Sequence, residues 1–284
     1  MPLTLLKQKQ NADGGWPYVR GVSWTEPTAY AALALLAAGE TEAAGRGLSW
    51  LREAQRSDGG WAVQLGVDHS AWVTALAALV PAERLGLRAH ARAIEWLLSA
   101  TGQESTFGYR VRQWLLGNAI PDFDCAGWAW APDAAAWVGP TSLAILALRK
   151  AQTRRPSAAI RARIESGRRF LWSRMCNGGG WNYGNPRVLG RDLPPYPETT
   201  GMALAALRGD GSPKVGQAVA VAGRFLAECH SADALNWLRL GLMAHGRLPE
   251  GYCPPSGIER RTVLEASLDL LAASAATAGS LLGS

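Results

Sequence analysis

Gln55-Arg56-Ser57-Asp58-Gly59-Gly60-Trp61 decides the fold, because it recurs along the chain. Gln10-Asn11-Ala12-Asp13-Gly14-Gly15-Trp16 has the same six-residue step from Gln to Trp. Met175-Cys176-Asn177-Gly178-Gly179-Gly180-Trp181 keeps the step and the glycines, with Met in place of Gln. A sequence that repeats in this way builds one supersecondary piece per copy and buries it against its neighbours. Upstream, Trp50-Leu51 precedes Gln55, Phe170-Leu171 precedes Met175 and Leu5-Leu6 precedes Gln10; weaker copies are Trp96-Leu97 and Phe225-Leu226. Apolar residues at i, i+1 and i+4 mark one face of a helix, and the Gly-Gly after it marks the exit turn.

A second kind of segment follows each turn. Trp24-Thr25-Glu26-Pro27-Thr28 opens an Ala/Leu run, as do Trp137-Val138-Gly139-Pro140-Thr141, Tyr196-Pro197-Glu198-Thr199-Thr200 and the plainer Ser70-Ala71-Trp72-Val73-Thr74. Pro and Thr here suit helix entry, and a run that is apolar nearly all round predicts a buried helix. The unit is therefore an amphipathic, Arg-rich outer helix, a Gly-Trp turn and a buried inner helix. Outer helices are predicted from near Glu42, Arg88, Ser157 and Pro213, and inner ones from near Glu26, Ser70, Gly139 and Pro197. A degenerate further pair is predicted from Ala232 to His245 and from Glu259 to Ser274. The reading is all-α: a single α/α barrel over residues 1–284, of about six helical hairpins and a dozen helices.

Composition fits that fold. Hydrophobic content of 48% suffices for a core, and thirteen Trp against six Tyr make tryptophan a structural device. The four Cys show no CxxC spacing, and no basic-then-apolar leader or bilayer-length apolar run is present, so the expected compartment is cytoplasmic, with peripheral membrane contact left open. The net charge of +6 comes from Arg scattered over outer helices, with no recognisable nucleic-acid module, which argues against nucleic acid as a partner. Oligomeric state is not readable.

With these residues in view, Arg46-Gly47-x-x-Trp50-Leu51-x-x-x-Gln55-x-x-x-Gly59-Gly60-Trp61 resembles the QW repeat of squalene–hopene and oxidosqualene cyclases. The wider set is the terpenoid cyclase/protein prenyltransferase α/α-barrel superfamily, whose triterpene cyclases have two barrel domains where this chain has room for one. The resemblance implies an isoprenoid or comparable apolar small-molecule ligand and no cofactor. It also implies, for class II cyclases, a DxDD motif at an inner-helix mouth whose central Asp is a general acid. Glu26 and Glu198 fall at that central position, without the flanking acids of the motif. Asp122-Phe123-Asp124-Cys125 is closer in letters but precedes a turn Trp, inside an insertion over residues 102–133 that would overhang the cavity. The prenyltransferases hold zinc with Asp, Cys and His; Asp124, Cys125 and His69 or His245 are the available types, but no pair has zinc spacing, so no metal is expected.

The catalytic candidates are thus Glu26, Glu198, Asp124 and Asp122. The candidates for ligand contact are Trp24, Trp72, Trp137, Tyr196, Trp130 and His69, because aromatic faces hold apolar chains and stabilise cations by roughly 0.5–2 kcal/mol each. Trp16, Trp61, Trp128 and Trp181 are expected to wedge between repeats, with each indole N–H capping a helix or turn. Trp128-Ala129-Trp130 could belong to either group. Two further readings stay open: a lipid carrier or scaffold that keeps the ring and lacks the acid, and a glycan-processing enzyme with a carboxylate pair about 5–9 Å apart.

Overall fold

A computed structural model describes residues 1–116 and 125–278. Helices follow one another as the repeats predict: Pro2–Lys9 (α1), Thr25–Ala37 (α2), Thr41–Ala54 (α3), Val73–Leu79 (α4), a single turn Ala82–Leu85 (α5) and Leu87–Ser99 (α6). The insertion contributes a 3-10 turn, Gln103–Ser105, and Phe107–Leu115 (α7). Then come Val138–Arg154 (α8), Ala158–Ser173 (α9), Pro197–Ala206 (α10), Lys214–Glu228 (α11), Ala232–Ala244 (α12) and Val263–Ala278 (α13). Two antiparallel pairs of two-residue strands fasten loops for which the sequence predicts no element: Trp128–Ala129 (β1) with Ala136–Trp137 (β2), and Arg187–Val188 (β3) with Arg191–Asp192 (β4).

The inner helices α2, α4, α8, α10, α12 and α13 each pack on the next, and α13 packs back on α2, closing a ring. Outside it α3, α6, α9 and α11 cover α2, α4, α8 and α10, while α1 covers α13. Backbone bonds lock the start of one inner helix to the loop of the next repeat: Thr25 N–H to Val63 O (3.0 Å), Trp72 to Trp130 (3.3 Å) and Val138 to Tyr183 (2.9 Å). Val263 N–H to Tyr18 O (3.1 Å) closes the circle.

The repeated turn explains its own sequence. Trp16, Trp61, Trp128 and Trp181 are buried, and their indole N–H groups donate to Leu6, Leu51, Leu97 and Leu171 O at 2.7–2.9 Å. Each therefore satisfies a last-turn carbonyl of the preceding outer helix, as expected, except that the donor of Trp128 reaches back across the insertion. Gln10 and Gln55 carry their Nε2 from their own turn, Gly14 O and Gly59 O, to the next outer helix, Ala43 O and Ala89 O (2.8–2.9 Å). Asp13 and Asp58 accept from Gly15 and Gly60 N–H (3.0 Å) and from the Ser23 and Ser70 hydroxyls (2.8 Å). The threonines act differently from the helix-entry role predicted for them. Thr28, Thr74, Thr141 and Thr200 accept from the backbone N–H of the turn Trp at 2.8–3.0 Å, which pairs an amide that is buried with its residue.

Beyond the first turn, residues 28–35, 73–79, 138–148, 199–206 and 234–242 are buried without a break. The ring is filled with side chains below its mouth. At the α10–α12 crossing the backbones themselves touch: a Cβ on Gly201 would lie 2.3 Å from the Trp237 carbonyl carbon, and one on Gly241 would lie 2.5 Å from Gly201 O. The degenerate last pair is also resolved. Both α12 and α13 are inner helices, joined by residues 245–262, which occupy the place an outer helix takes elsewhere.

Parallel inner helices align their dipoles, positive at the mouth and negative at the floor. On the floor, cationic or donor side chains meet the helix ends: Lys150 Nζ on Leu79 O (2.9 Å), Arg149 Nη1 on Ala206 O (3.3 Å) and Arg208 O (2.6 Å), and imidazole nitrogens of His90 and His245 beside Ala78 O and Leu204 O.

Candidate functional site

At the mouth, four inner helices that are contiguous around the ring carry an acid in their first turn: Glu198 on α10, Asp233 on α12, Glu265 on α13 and Glu26 on α2. Neither α4 nor α8 has one. Glu265 is structural. It accepts from Thr262 N–H (2.8 Å) and Arg261 N–H (2.6 Å) while Thr262 Oγ1 accepts from Glu265 N–H (3.1 Å), which is a capping box.

The other three behave differently. Burial raises Glu26 to about 7; the hydrogen bond from Tyr18 opposes this, and the charges of Asp233 and Glu198 reinforce it. Asp233 also rises to about 7 through burial and the charges of Glu265 and Glu198. Burial moves Glu198 upward too. The same three charges, after burial, raise Tyr30, which lies one turn below Glu26 with its ring edge-on to Trp237 at 6.5 Å. The carboxyls therefore share one electrostatic environment at the edge of water, and adjacent buried acids cannot all ionise near neutral pH. The Tyr18 hydroxyl donates to Glu26 Oε2 at 2.5 Å, and one buried oxygen of Asp233, Oδ1, has no hydrogen-bond partner among the described residues.

Aromatic side chains occupy the rest of the mouth and border the acids. Trp72, at the start of α4, meets Trp130 edge-on at 4.7 Å. Trp137 packs on Tyr183 at 6.2 Å, and Tyr183 on Tyr196 at 5.2 Å. Trp24 stands beside Tyr18 at 5.5 Å, next to the acids. Trp130 and Tyr196 remain 36% and 40% exposed, enough to offer ring area to a ligand. The Trp128-Ala129-Trp130 ambiguity resolves by position: Trp128 is buried as the turn Trp, while Trp130, just past the end of β1, is partly exposed against Trp72.

Glu26, Glu198, Trp24, Trp72, Trp130, Trp137 and Tyr196 thus all stand at inner-helix starts or on the loops docked there. His69 is exposed in the loop before α4, beside Asp68 (3.2 Å). Asp122 and Asp124 lie outside the described residues. Sequence reading missed Asp233 and Tyr18 as site residues. The signal for Asp233 was available, since Thr25-Glu26, Pro197-Glu198 and Ala232-Asp233 each place the acid second in an inner helix. Tyr18 had no such signal. Among the described residues no three His, Cys, Asp or Glu side chains are placed to hold a metal ion, and no described helix is long and apolar enough to cross a membrane.

No family model and no curated protein matches the sequence. Among solved structures, the type II terpene cyclase MstE from Scytonema, in its apo form, superposes with a TM-score of 0.53 at 16% identity over 96% of this chain and 75% of that one. The chain has a terpene cyclase-like fold. A crystal structure of a protein from Actinoplanes is similar at a TM-score of 0.49, with 17% identity over 94% of this chain and 77% of that one.

Proposed function

We propose that the mouth of the ring binds an isoprenoid or comparable apolar chain and that its carboxyl cluster serves as a general acid, in the manner of a class II cyclase. The observation that supports this most is the division of the mouth. Half-buried acids whose affinity for a proton is raised by burial stand on α2, α10 and α12, beside a belt formed by Trp72, Trp130, Trp137 and Tyr196. In the proposed step the Glu26 O–H bond breaks and its proton passes to a terminal alkene carbon or epoxide oxygen of the ligand. The carboxylate left behind keeps the Tyr18 hydrogen bond, and the aromatic faces stabilise the developing cation.

The acid's strength bears on the substrate. A carboxyl near 7 is a weaker proton donor than an ordinary Glu by about 1.4 kcal/mol per unit, which favours an oxygen terminus over a bare alkene. The filled ring below the mouth favours a short chain or a terminal segment.

A second reading, a carrier with the same ring and no turnover, is favoured by one feature: Glu26 and Glu198 lack the flanking acids of DxDD. Incubation with a set of polyprenyl alcohols, epoxides and diphosphates, followed by product analysis, separates the two. Cyclised product that falls at least about a hundredfold in Glu26→Gln supports the acid; retained lipid without product supports the carrier. Turnover unchanged in a Glu26→Gln, Glu198→Gln, Asp233→Asn triple variant would exclude this cluster.

A further inference from the structure

The junction between α12 and α13 holds charge that the mouth does not use. Where other hairpins have an outer helix, residues 245–262 fold inward, and Leu248, Tyr252 and Ile258 pack against the core. Behind them Arg239, 8% exposed on an inner helix, donates from Nη1 to Asn236 Oδ1 (2.7 Å) and Asp269 Oδ1 (3.3 Å). Arg260 donates to that same Asp269 oxygen from Nη2 (3.2 Å) and to Ile258 O from Nη1 (2.8 Å). One carboxylate thus serves two guanidiniums, and one positive charge is left over between them.

Three buried donors of this junction lack an acceptor among the described residues: Arg239 Nε, Arg260 Nε and the Tyr252 hydroxyl. Burial raises Tyr252 while the nearby Arg239 charge pulls it down, so the phenol keeps its proton at neutral pH. An unpaired Nε alone is not unusual in this chain, since Arg56 and Arg174 have one, as do Arg163 and Arg168. The last two are compensated differently. Arg163 donates to Ala126, Ala100 and Gly127 carbonyls, and Arg168 has the carboxylates of Glu165 and Asp210. At the α12–α13 junction two cations share one acid, with an unsatisfied phenol on the same connection. Arg260 also forms a wall of an open concavity of about 440 Å³ against α1, where Lys9, Gln8 and Thr4 supply a polar, cationic rim. Excess positive charge, unsatisfied donors and a path to solvent are the conditions for binding an anion.

We propose that this junction is a binding site for a small oxyanion, phosphate being the simplest, held by Arg260 with Lys9 at the entrance. The anion neutralises the charge that Asp269 leaves uncompensated and does for the sixth hairpin part of what a packed outer helix does for the others.

Inorganic phosphate is the probe, titrated into the full chain at constant ionic strength with chloride as the balancing anion. Binding is read by ³¹P line broadening and by the thermal midpoint. Saturable broadening and a midpoint that rises with phosphate but not with chloride are expected, because a ligand that binds only the folded form stabilises it. Arg260→Gln should weaken phosphate about tenfold and Lys9→Gln, on the exposed end of α1, about threefold, whereas Glu26→Gln should leave it unchanged. The Lys9 variant keeps the test decisive should Arg260→Gln fail to fold. Phosphate and chloride acting alike, or undiminished affinity in both the Lys9 and Arg260 variants, would overturn the site.

Discussion

The Tyr18 hydroxyl donates to Glu26 at 2.5 Å, and that bond favours the carboxylate, while burial and the charges of Asp233 and Glu198 favour the acid. Tyr18→Phe should therefore raise Glu26 above its value near 7, an effect visible in the pH titration of its carboxyl ¹³C resonance; a downward or absent shift would show that the bond does not set the acid. The same residues make stability depend on pH. Glu26 and Asp233 bind protons more tightly when folded than at their ordinary values of 4.5 and 3.8. Between those values and about 7 the folded chain holds protons that the unfolded chain releases, so stability falls as pH rises through that window. The loss is on the order of 1–2 kcal/mol per group once partial solvent exposure is allowed for. Glu26→Gln with Asp233→Asn should flatten the pH 5–7.5 slope in urea unfolding, and an unchanged slope would place the titration elsewhere. Asp210, lowered by Arg168, works in the opposite direction and loses its contribution only as pH falls through its depressed value. Of these residues the sequence pointed to Glu26 and Glu198. It could not point to Tyr18, because a Tyr eight residues before a helix acid has no spacing rule that brings the two together.

Within a single hairpin, the Gln-to-Trp turn is the structural unit, and its letters map onto separate bonds. Gly59 has φ +93°, and a Cβ there would sit 2.7 Å from Arg92 O, a backbone atom that cannot move aside. Gly66 has φ +90° with nothing within 4 Å. Gly59→Ala should therefore cost about 2–4 kcal/mol and Gly66→Ala about 1 kcal/mol; the difference between the two urea midpoints isolates the clash. Thr74→Val removes the acceptor of the buried Trp61 N–H and should cost about 1–3 kcal/mol. Equal stability of that variant would mean that the amide finds another partner. The glycines, Gln and Trp of this unit were legible because they recur. The threonines were visible but misassigned, since Thr near a helix start usually caps its own helix, and only the packed turn reveals the buried amide it serves.

At the scale of the whole molecule, the ring closes through contacts between residues far apart in sequence. The α10–α12 crossing admits no side chain at Gly241, so Gly241→Ala should cost about 3 kcal/mol or more. Gly223, exposed on α11 with nothing within 4 Å, is a helical glycine of the opposite kind, and Gly223→Ala should stabilise by about 0.5–1 kcal/mol. Denaturant unfolding of both variants checks the pair; similar effects would show that the crossing is less tight than its geometry. The repeat pattern anticipated a ring, but not that its last two helices would both be inner ones, because α13 reads as an ordinary amphipathic partner until α1 is seen covering it.

The sequence by itself determined the all-α class, the alternation of outer and inner helices, and the turns that join them, since these depend on periodicity, glycine conformation and hydrogen bonds that lie mostly within a hairpin or between adjacent ones. Only the tertiary structure decided that Glu26, Glu198 and Asp233 share one side of the mouth, with Tyr18 bonded to the first. It alone showed Trp72 meeting Trp130, Trp137 and Tyr196 joined through Tyr183, and two arginines sharing Asp269. Electrostatic coupling depends on distance through space, and these groups are brought together from separate helices by closure of the ring.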